Sequence, residues 1–117
     1  MAYLYSWHVG FVARLAQKLK GLTENGAPLL DRTAIVLVTE GGWGRDPTGG
    51  SSTPHSTENM VAVVLGGRAL GLRLGQHLVA PNREHPGQVI LAAMRAAAND
   101  RAVNLGELRA HFPTLLL

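Results

Sequence analysis

The sequence contains no cysteine, which excludes disulfides, thiolate metal sites and cysteine nucleophiles but leaves the compartment undecided. Aromatic residues are scarce, at 5%, so aliphatic side chains must fill whatever core forms. No apolar run approaches the ~20 residues that a membrane span needs. The opening Met1-Ala2-Tyr3-Leu4-Tyr5 lacks the basic start and small-residue cleavage site of a signal peptide. Basic runs are absent as well. Eleven Lys+Arg stand against 8 Asp+Glu, a net charge of +3, and the arginines are scattered singly. That pattern is a solvated surface rather than a nucleic-acid footprint. No repeat and no linker interrupts the chain, so residues 1–117 are expected to form one domain.

What is present is a small, aliphatic α/β pattern. Trp7, Phe11, Leu15, Leu19 and Leu22 recur at helical spacing, predicting a helix over Tyr5–Leu22. Its apolar stripe is expected to pack on a sheet, with a partner-binding surface as the other reading. Thr23-Glu24-Asn25-Gly26 and Pro28 break the helix. Ala34-Ile35-Val36-Leu37-Val38 is a continuous, partly β-branched apolar run that predicts a strand buried on both faces and leading to Glu40. Met60 to Leu65 predicts a second such strand, closed by Gly66-Gly67. Between them lies a glycine-rich polar stretch expected to be a long functional loop or a surface excursion. Leu74 to Val79 reads as a turn into a short strand. Pro86 opens a helix running to about Ala98, with Val89, Ile90, Ala93, Met94 and Ala97 facing the core, and Asn99-Asp100 stops it. A short helix is expected before Pro113, and Leu115-Leu116-Leu117 needs a cover.

Three groupings could carry chemistry. Glu40 at a strand end and His55 across the loop are a carboxylate and an imidazole that could hold a divalent metal, with His8 as a further candidate. His8, beside Trp7, is more often a hydrogen-bonded core or boundary residue than a ligand. The glycine-rich loop with Arg45 could nest a phosphate or sulfate, although the pattern GxxxxGK[ST] is absent. Ser51, Ser52, His55 and Asp46 are close in sequence, but none sits in a GxSxG elbow.

The order of these motifs resembles a known group. The helix from Trp7-His8 to Leu19-Lys20, Leu29-Leu30-Asp31-Arg32-Thr33 with its strand, and Glu40 followed by Trp43-Gly44-Arg45-Asp46-Pro47 follow its pattern, as do His55-Ser56, Gly66-Gly67 and Gly75-Gln76-His77-Leu78. The group comprises two sister domain-of-unknown-function families of usually exported bacterial proteins, related to alkaline phosphatases and sulfatases. The chain is similar to their C-terminal part. Gly41-Gly42 is an insertion in the motif, Asn59 stands where an acid is frequent, and the strand near Val61 lacks a common proline.

The resemblance implies an α/β fold with a small, mostly parallel sheet flanked by helices. It implies Glu40, His55 and His8 as ligands of zinc, manganese or calcium, and Arg45 beside the anion of a phosphate or sulfate ester. It places the Ser/Thr nucleophile and the first metal-binding acid upstream of this chain. The expected function is therefore that of a metal-binding half-site, inactive alone and completed by another chain. The alternative is a non-catalytic assembly module that pairs with itself or with a chain supplying the missing half, through an exposed sheet edge and the leucine-rich tail. An anion-binding domain using Arg45 and the loop is a third reading.

Overall fold

A computed structural model describes residues 2–39, 41–45, 52–56, 59–80 and 84–117, with the side chains of 2, 43, 45 and 52–56 outside the description. The expected α/β class holds, and the expected mostly parallel sheet does not. Every strand pair among the described residues is antiparallel.

Helix α1 spans Ala2–Gly21. Lys18 and Lys20 lie in its last turn, where positive charge suits the helix dipole. The breaker that follows is a two-residue hairpin, β1 (Thr23–Glu24) paired with β2 (Ala27–Pro28). Asn25 and Gly26 turn it with φ of 51° and 78°. Both central residues of a type I′ turn need positive φ, which explains the Asn-Gly pair. A 3-10 turn, Leu29–Arg32, then leads into β3 (Ala34–Val38).

From β3 the chain runs out and back as one ribbon. β4 (Gly42–Arg45) pairs with β5 (Ser52–Ser56), and β6 (Ala62–Gly66) returns beside β3 with Ala34 opposite Gly66 and Val38 opposite Ala62. The Thr39 amide donates to Val61 O at 3.0 Å and the Val61 amide to Thr39 Oγ1 at 3.1 Å, extending the inner ladder outward. A register shift between Gly42 and Gly44 marks a bulge in the outer ladder. Here lies the reason the parallel expectation fails. Parallel neighbours need a crossover, usually helical, whereas the segment joining β3 to β6 contains a hairpin.

Gly66 and Gly67, at φ of 72° and 75°, end the ribbon. A Cβ on Gly66 would overlap the Thr33 carbonyl oxygen and lie 2.6 Å from Leu30 O. The Gly67 amide donates to that Leu30 oxygen at 3.0 Å. Only glycine permits this approach.

The core forms on one face of the inner ladder. Ala34, Val36, Ala62 and Val64 pack against Leu72, Val89, Ala92, Ala96 and Leu115. The alternation along β3 and β6 gives this face its side chains. Helix α2 (Gly87–Ala98) covers the face and ends at Asn99, which adopts the left-handed conformation with φ 50°. The expected stop is met there, and the expected burial is met in part: Val89 and Ala93 are buried and Ile90 and Met94 half-buried, whereas Ala97 is exposed and Leu91, Ala92 and Arg95 are buried as well.

No strand forms over 74–79 and no helix before Pro113. Instead Leu72 bridges Leu116, the Arg73 amide donates to Leu115 O and the Leu117 amide to Gly71 O. The leucine tail thereby finds its cover: Leu115 is buried, while Leu117 stays exposed.

Helix α1 departs from expectation in its packing. It touches the 3-10 turn and β2, and Ala16 is its buried residue. Trp7, Phe11, Leu15 and Leu22 remain 48–56% exposed. Leu19, the remaining member of that stripe, is half-buried.

Candidate functional site

The polar stretch expected as a loop is partly an ordered hairpin. Pairing places Arg45 opposite Ser52, Gly44 opposite Thr53 and Gly42 opposite Ser56. The backbones of Arg45 and His55 therefore lie on paired strands, two or three positions apart along the ladder. Glu40, Asp46 and Ser51 lie outside the described residues, as do the side chains of Arg45, Ser52 and His55.

His8 is described, and it stands in a different setting. Its ring meets Trp7 edge-on at 5.1 Å and is exposed on α1. Trp7 in turn meets Phe11 at 4.6 Å, and the Arg14 guanidinium lies 4.8 Å over the Phe11 ring. These four residues form an exposed aromatic and cationic patch without an acid. Edge-to-face geometry and cation–π contact both favour the arrangement. Among the described residues, no three His, Asp or Glu side chains gather as metal ligands.

Two further sites came from residues that the sequence reading passed over. The first is the start of α2. The His85 amide donates to Gln88 Oε1 at 2.7 Å, and the Gly87 amide donates to His85 Nδ1 at 3.0 Å. The two bonds are reciprocal in the manner of a capping box, with His85 ahead of the proline supplying one acceptor and Gln88 in the first turn the other. Because Nδ1 accepts, the neutral ring carries its proton on Nε2. The signal was His-Pro-Gly-Gln, of which only the proline was used.

The second is Arg95. It is 8% exposed, and among the described residues its partners include no carboxylate. Its Nε donates to Val103 O at 2.8 Å, Nη2 to Arg109 O at 2.7 Å and to Asn104 Oδ1 at 3.3 Å, and Nη1 to His111 Nδ1 at 2.9 Å. The guanidinium has no acceptor capacity, so His111 must accept through an unprotonated Nδ1. Burial, then the positive charges of Arg95 and Arg101, hold the His111 pKa below the usual imidazole range.

A broad cleft of about 1170 Å³ opens between β6 and the first turn of α2. Val64, Val89 and Phe112 line its apolar side, and Arg73, His77 and His85 its polar side. Comparison with family models, with curated proteins and with solved structures finds no match to this chain. No helix among the described residues is long and apolar enough to cross a membrane.

Proposed function

We propose that this chain is a partial α/β module that completes its core by associating with another polypeptide, either a second copy or a chain carrying the missing half of a hydrolase-like domain. The observation that carries this reading is the α1 stripe. Trp7, Phe11 and Leu15 on α1, with Leu22 just past its end, stand about half exposed, while α1 rests on the 3-10 turn and β2. Large aromatic side chains ordinarily bury such area in a core or an interface.

The two-stranded β3–β6 sheet adds unpaired backbone groups at its edges.

The chemistry assigned to the assembled form, hydrolysis of phosphate or sulfate esters with a divalent metal, rests on the motif resemblance. In it Glu40, His55 and His8 are the metal ligands and Arg45 holds the anion. The hairpin register supports the pairing of Arg45 and His55 as neighbours on one ribbon. It gives no such support to His8, whose described contact is Trp7.

Light scattering at rising concentration tests the assembly reading. Concentration-dependent mass, abolished by Trp7→Glu with Phe11→Glu, is the expected result. A strict monomer that also fails to bind a separately expressed N-terminal partner domain overturns it. The metal reading is tested separately by thermal unfolding with zinc, manganese and calcium. The expected result is a rise in Tm that Glu40→Ala removes, and no change with any of the three ions ends that part.

A further inference from the structure

We propose that Arg95 and His111 form an acid-released latch that fastens the segment 103–111 to α2. The geometry is specific. Arg95 projects from α2 and is buried under the segment that it bonds, with all four acceptors drawn from residues 103 to 111. Three of these acceptors are amide or carbonyl oxygens, which stay the same across the physiological range. The fourth, His111 Nδ1, is the one that a proton can remove.

The charges around His111 make that removal consequential. Arg95 faces it from α2 and Arg101 from the turn after α2. Arg109, in the same segment, presents its backbone oxygen to Arg95. Asp100, the acid between α2 and the segment, uses Oδ1 to accept from the Ala102 amide, and Glu107 is exposed. A proton taken up from solvent at Nδ1 converts the acceptor into a donor and sets an imidazolium against a guanidinium. The contact then becomes repulsive. The depressed His111 pKa agrees with a folded state that resists this protonation.

Beyond the latch the chain is held separately. The Phe112 amide donates to Gln88 O at 3.0 Å, and Leu115 is in the core. Acid therefore loosens 103–111 while the β3–β6 ladder keeps its pairing, a local opening rather than unfolding.

The experiment is hydrogen exchange on the full chain, read by NMR as protection factors between pH 7.5 and 5, with the His111 ring titrated in parallel. Protection of the Leu105 and Leu108 amides, which bond across the turn at 3.4 and 2.9 Å, is expected to fall at least threefold with the His111 midpoint. The amides of β3 and β6 are expected to stay unchanged. His111 is expected to titrate below 6.5, the ordinary imidazole value, with Nδ1 unprotonated at neutral pH. His111→Asn, whose Oδ1 takes the Nδ1 position without titrating, is expected to abolish the pH dependence. A His111 midpoint at or above 6.5, or the same loss of protection in His111→Asn, overturns the proposal. Were the variant unfolded, a wild-type loss of protection at Leu105 and Leu108 that does not follow the His111 midpoint would overturn it.

Discussion

Arg95 donates a 2.9 Å hydrogen bond to Nδ1 of His111, and among the described residues Arg95 has no carboxylate partner. A buried guanidinium is normally neutralised by an acid. Here it is solvated by neutral acceptors, three of them oxygens, all contributed by one segment. The cation thus acts as a peg for the irregular chain that follows α2.

Removing that peg should be costly. Arg95→Ala strands the Val103 and Arg109 carbonyls and leaves a cavity, so a loss of about 2–4 kcal/mol is expected in urea unfolding. Arg95→Lys, with one point charge in place of a fork, should lie between that variant and wild type.

The pH dependence has a definite sign. The folded pKa of His111 is lowered, so between that value and 6.5 the unfolded chain binds more protons than the folded one. Stability from this group is therefore present above 6.5 and is lost as pH falls through the folded value. Urea midpoints taken from pH 7.5 to 5 should decline more steeply in wild type than in His111→Asn.

The α2 cap makes a sharper local prediction. His85→Ala removes the acceptor for the Gly87 amide and should cost ~1 kcal/mol. His85→Asn or His85→Ser, better caps in general, should fall within a few tenths of wild type. Equal losses in all three variants would show that the ring serves packing instead.

Core and stripe substitutions should separate cleanly. Leu91 is fully buried, and Leu91→Ala should cost about 2–5 kcal/mol. Phe11→Ala, at a half-exposed position, should cost the dilute chain under about 1 kcal/mol yet raise the dissociation constant of the assembly at least tenfold. Sedimentation equilibrium beside denaturation measures both.

Helices and the two inner strands were legible because their signals are local. The α1 and α2 periodicities, Pro86 and Asn99 fixed the helices to within a few residues, and the aliphatic runs fixed β3 and β6. Strand direction was not legible. An apolar run such as Ala34–Val38 looks alike in either kind of sheet, and direction is set by its connection. That connection pairs through glycine, serine and threonine, whose sequence carries no apolar alternation. The Asn25-Gly26 hairpin had a clear signature that was read only as a helix stop. The face of α1 was misjudged because periodicity locates an apolar stripe without saying what meets it. Arg95 was passed over since a single arginine in an alanine-rich helix looks solvated until a distant segment lies across it. Of the candidate metal ligands, His8 lies in an aromatic patch, and Glu40 and the His55 side chain lie outside the described residues.

The nesting of one ladder inside the other couples distant parts of the ribbon. With β4 and β5 paired, the stretch that must close before β3 meets β6 shrinks from residues 39–61 to roughly a third of that length. The entropic saving is roughly 1 kcal/mol, about a fivefold gain in how readily the inner strands meet. A molecule gripping the outer hairpin would shift the inner sheet by mass action, without touching it. The zipper runs the other way too, so loosening the Gly66-Gly67 end would be felt at the outer hairpin as a faster rate of fraying.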